Sequence, residues 1–75
     1  MDNPELDHLR FVYKSAVERW IEAIREEEDL ATADHSMVAV ETWEQAGFKE
    51  EAARNEAKAA RQDYEDALRK VLFNF

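Results

Sequence analysis

Cysteine is absent from the chain, and glycine and proline occur once each. The first absence excludes disulfides and thiolate metal sites, and it fits a reducing cytoplasm. The second leaves few residues able to mark a turn. Sheet proteins need many turns, so the composition points to helices joined by few connections. Positive charge is scarce as well: 10 Lys and Arg stand against 18 Asp and Glu, a net charge of −8. A surface of that sign repels phosphate backbones and anionic lipid headgroups, which argues against direct nucleic-acid binding and against membrane association. No apolar run approaches the roughly 18 residues of a spanning helix, and Met1-Asp2-Asn3-Pro4 does not open a signal peptide. The expected location is cytoplasmic.

What the chain does have is apolar bulk. Hydrophobic residues make up 45%, with two Trp, two Tyr and four Phe, too rich a set for a disordered chain. Its 75 residues form one domain at most. A chain of this size hides only about 60% of its unfolded surface, and small scaffolds usually make up the shortfall with staples or self-association. With disulfides excluded, tight helix packing or an oligomer remains.

A first helix is expected from about residue 4 to 29. Asn3 caps it, Pro4 presets the first helical angle, and Glu5 and Asp7 suit the positive end of the dipole. Leu6, Leu9, Tyr13, Ala16, Val17, Trp20 and Ile24 follow at helical spacing, flanked by Val12, Ile21 and Ala23. A stripe that wide suits contact with more than one neighbour. It stops at Ile24, because the acidic run Glu26-Glu27-Glu28-Asp29 follows and opposes the negative end of the dipole.

Residues 30–36 read as a connection, with Thr32, Asp34 and Ser36 as candidate caps for a short middle helix over 37–46. Gly47 reads as the residue that ends it, with Phe48 folding back onto Trp43. One long, slightly bent helix is the alternative, favoured by the lack of a capping residue after Gly47. A last helix is expected over 49–72, with Ala53, Ala57, Ala60, Tyr64, Ala67, Leu68 and Val71 on one stripe. Favourably ordered charge pairs, Glu50 with Arg54, Glu65 with Arg69 and Asp66 with Lys70, line its polar side.

The long helices are complementary in size. Run antiparallel, they set Trp20 and Ile24 against Ala53, Ala57 and Ala60, and Leu6 and Leu9 against Leu68, Val71 and Phe75. The expected fold is all-α: an antiparallel helical hairpin with a short middle helix, two copies pairing into a dimeric bundle.

Catalytic constellations are thin. Glu5 and His8 have the Glu-x-x-His spacing of di-iron bundles, but His35 follows Thr32 at that spacing, so a second copy is missing. They read as solvated, and no metal or cofactor is expected. Ser15 and Ser36 lack an arranged base and orienting acid. No Gly-rich phosphate loop or basic patch occurs. The chain thus reads as a non-enzymatic interaction or assembly module. Its candidate partner surface is the run Glu26, Glu27, Glu28 and Asp29, which suits a basic protein, together with the off-stripe aromatics Phe11 and Phe73. An acidic decoy for a nucleic-acid-binding protein is the alternative, with a small metal-binding bundle behind it.

Overall fold

The computed structural model of the protein describes residues 3–31 and 37–73. Among them are two helices, α1 (Pro4–Ala31) and α2 (Met37–Phe73), packed along each other. Of the expected connection over 30–36, Leu30 and Ala31 belong to α1; residues 32–36 with the candidate caps, and Phe75, lie outside the described residues. Cross-helix pairs fix the direction: Glu26 meets Lys49, Arg19 meets Glu56 and Tyr13 meets Tyr64. As numbers rise in one helix they fall in the other, so the hairpin is antiparallel.

The start of α1 follows its local chemistry. Asn3 Oδ1 accepts from the backbone N–H of Leu6 at 3.1 Å, and the Asn3 carbonyl accepts from Asp7 N–H at 3.0 Å. The first satisfies an orphan donor of the first turn, and the second is the first regular bond of the helix. The helix continues to Ala31, and Glu27 and Leu30 beyond the expected end of the stripe are half-buried.

No break occurs at Gly47. The expected helices over 37–46 and 49–72 are one helix of 37 residues. Three causes act together. No capping residue follows the glycine to start a new helix, strong helix formers flank it, and packing runs straight across it. Ala46, Glu50, Ala53 and Ala57 recur in steps of four and three, so one row faces α1 on both sides of Gly47. The helix-ending motif expected at Gly47 is therefore not formed, and Phe48 is 70% exposed.

The core is a seam of alanines. Ala16, Ala46, Ala57 and Ala60 are the buried apolar residues among those described, and Tyr13, Val17 and Trp20 pack against the cluster of Ala16, Ala57 and Ala60. The expected fit of aromatic bulk to an alanine channel is present. Tyr13 and Tyr64 extend it, with ring centroids 6.4 Å apart. Trp20 Nε1 donates to Glu50 Oε1 at 3.1 Å, and the same carboxylate lies 3.6 Å from Arg54. Farther along α2, Glu65 pairs with Arg61 at 2.9 Å and with Arg69 at 4.0 Å. Asp66 accepts from Gln62 and Arg69 rather than making the expected pair with Lys70.

The result is long and thin, 55 × 19 × 12 Å, with a radius of gyration of 17.0 Å. A compact chain of this length would have about 11 Å.

Candidate functional site

Each residue of a helix turns about 100° from the last, so the two edges of the hairpin can be followed row by row. One edge is closed by charge: Arg19 and Glu56 lie 3.6 Å apart, as do Glu26 and Lys49. All four side chains are well exposed, and such pairs contribute about 0–1 kcal/mol each, so they set register more than stability.

The other edge is apolar. Val17 and Ile24 on α1 are half-buried there, and Ile21 beside them is 41% exposed. On α2 the corresponding side carries Val40 and Trp43, both exposed. Near the connected end this edge opens into a groove of about 410 Å³ lined by Ile24, Glu27, Glu28, Ala31, Trp43 and Glu50. A second hollow shares Glu27 and Trp43 and adds Glu44, Gly47, Phe48 and Glu51. An indole thus sits among five carboxylates.

The acidic run does not act as one patch, because helical rotation spreads its members. Glu26 turns to the charged edge and pairs with Lys49, Glu27 is half-buried in the groove, Glu28 lies on the groove's outer lip, and Asp29 is exposed. Phe11 and Phe73 are 66% and 63% exposed. Each stands roughly opposite the seam of its own helix, so the two rings face away from each other and do not form one continuous patch.

Glu50 is a position in the seam that sequence reasoning missed. Its side chain is only 17% exposed, tied to both Trp20 and Arg54, and it lies in the alanine row rather than on the polar side. The signal was its spacing from Ala46 and Ala53, legible once the helix is read through Gly47.

Glu5 and His8 are both exposed, and among the described residues no group of three or more His, Asp or Glu side chains is placed to hold a metal. The Arg61 guanidinium, hydrogen-bonded to Glu65, is held above the ordinary arginine range. What the arrangement offers is contact: an apolar edge, an indole and ordered charge. Among the described residues no helix is long and apolar enough to cross a membrane. No protein-family model, curated protein or solved structure matches the chain.

Proposed function

We propose that the chain is a small protein–protein interaction and assembly module that works without catalysis, and that two hairpins associate into a dimeric helical bundle. One observation carries this reading. The chain exposes 6135 Å², whereas a folded monomer of its 8.8 kDa exposes about 4,800 Å². The surplus of about 1,300 Å² exceeds the roughly 800 Å² that each partner buries in a standard interface. Its apolar part is concentrated in large side chains that the alanine seam is too shallow to take in, Val40, Trp43, Val71 and Leu72 among them.

Sedimentation velocity at micromolar concentration tests the assembly. The expected species has twice the 8.8 kDa chain mass. A lone chain mass throughout the range would overturn the dimer. It would move the reading to the second one, an acidic decoy for a basic nucleic-acid-binding protein, which rests on the carboxylates gathered around Trp43.

A further inference from the structure

The contact of α1 with α2 uses Leu9, Tyr13, Ala16, Trp20, Ala23 and Glu27, all buried or half-buried, in alternating steps of four and three. That is the step pattern of a helix seam. One residue along lies a second row with the same steps: Arg10, Lys14, Val17, Ile21, Ile24 and Glu28. The first row carries the centre of the hairpin contact; of the second, Val17 and Ile24 reach its edge and stay half-buried, while Arg10, Lys14, Ile21 and Glu28 are exposed. The second lies on the apolar edge, away from the Arg19–Glu56 and Glu26–Lys49 pairs. It is apolar at its centre, basic at one end and acidic at the other.

We propose that this second row is the contact with a second copy of the chain, antiparallel across a two-fold axis beside Val17 and Ile21. The inference rests on the assembly reading above and names its surface. In this register Arg10 of each copy faces Glu28 of the other, Lys14 faces Ile24, and Val17 faces Ile21. Self-complementarity is what a two-fold contact demands, and a row with opposite charges at its two ends satisfies it only when reversed.

Charge decides between the two ways of pairing the apolar edges. A two-fold axis along the helices would stack the connected ends, setting Glu27, Glu28, Glu44 and Glu51 against their own copies in a chain of net charge −8. An axis across the helices sets those acids against Arg10, Lys14 and Arg61 instead. Like charges in apposition disfavour the first arrangement, and complementary potentials favour the second. On α2 the same reversal brings Val40 level with Leu72, both exposed, and Glu51 level with Arg61. Arg54 and Lys58 come level at the centre of that helix, and Arg54 is already held by Glu50 at 3.6 Å. The α1 rows therefore make the closer contact.

The test is sedimentation equilibrium on the full chain and five variants, with far-UV circular dichroism to confirm helix content. Ile21→Glu places a carboxylate at the axis twice per dimer and is expected to weaken association at least about a hundredfold. Phe11→Glu, on the far side of the same helix, is expected to leave it within about threefold. Arg10→Glu and Glu28→Arg each weaken it by about tenfold, and the two combined restore it, because the pair is reversed rather than removed. Should Ile21→Glu lose helix content, the three charge variants decide alone. If the unaltered chain is monomeric, the assembly reading itself falls. If it is dimeric but Phe11→Glu dissociates it and Ile21→Glu does not, the assembly stands and this face is wrong. Single reversals without effect, or without mutual rescue, overturn the antiparallel register.

Discussion

Replacing Gly47 with alanine reads the continuity of α2 directly, because the two backbone readings of that residue predict opposite signs. In the structure Gly47 has a helical backbone inside a 37-residue helix, and a methyl group added to its Cα meets nothing within 4 Å. The substitution then adds helix propensity without a clash. Alanine is preferred over glycine in a helix interior by about 0.8–1.0 kcal/mol, and removing glycine's freedom in the unfolded chain is part of that gain. A stabilisation of about 0.5–1 kcal/mol follows. Had Gly47 instead ended a helix in the left-handed conformation, alanine there would cost about 1–2 kcal/mol. Urea denaturation followed by circular dichroism resolves the difference. With a slope near the low end for small proteins, about 1 kcal/mol/M, the midpoint rises by about 0.5–1 M, and the thermal midpoint rises by several degrees. Wild type and variant are compared at one protomer concentration, since association adds to apparent stability. A midpoint that falls at unchanged slope would refute the unbroken helix.

Trp20→Ala removes the side chain that fills the alanine channel and the donor that holds Glu50, and about 3–4 kcal/mol of stability is expected to go with it. A loss below about 1 kcal/mol in the same urea experiment would mean that the indole contributes little to the seam. Asn3→Ala deletes the side-chain acceptor at 3.1 Å from Leu6 N–H and is expected to destabilise by about 1 kcal/mol. Asn3→Asp, which keeps an acceptor, is expected to remain close to wild type, and equal losses in both would contradict the cap.

The first helix was legible because several local signals agree there. Asn3, Pro4, Glu5 and Asp7 all specify a start, and the apolar spacing that follows specifies a face. The match of Trp20 to Ala57 and Ala60 was legible for a different reason: side-chain volume alone indicates which rows interdigitate. The middle of the chain was harder. Gly47 carries a strong local signal for a stop, and what overrides it is tertiary, the packing of Ala46 and Glu50 in one row against α1. Starting a fresh helix at Lys49 separated Glu50 from Ala46 and placed it on the polar side, which hid its bond to Trp20. The run from Glu26 to Asp29 reads as one acidic feature along the sequence. In a helix, four consecutive residues point in four directions, and only Glu27 and Glu28 share the groove with Trp43.

A seam one methyl group deep gives the hairpin no interior in the ordinary sense. Its backbone spans only 12 Å across the thinnest dimension, so the two helices form a single layer. Cohesion is therefore spread lengthwise, as in a zip, instead of being stored at a centre. Each turn of one helix is held by the turns of the other beside it. For such a molecule, shelter from water can come only from whatever lies alongside.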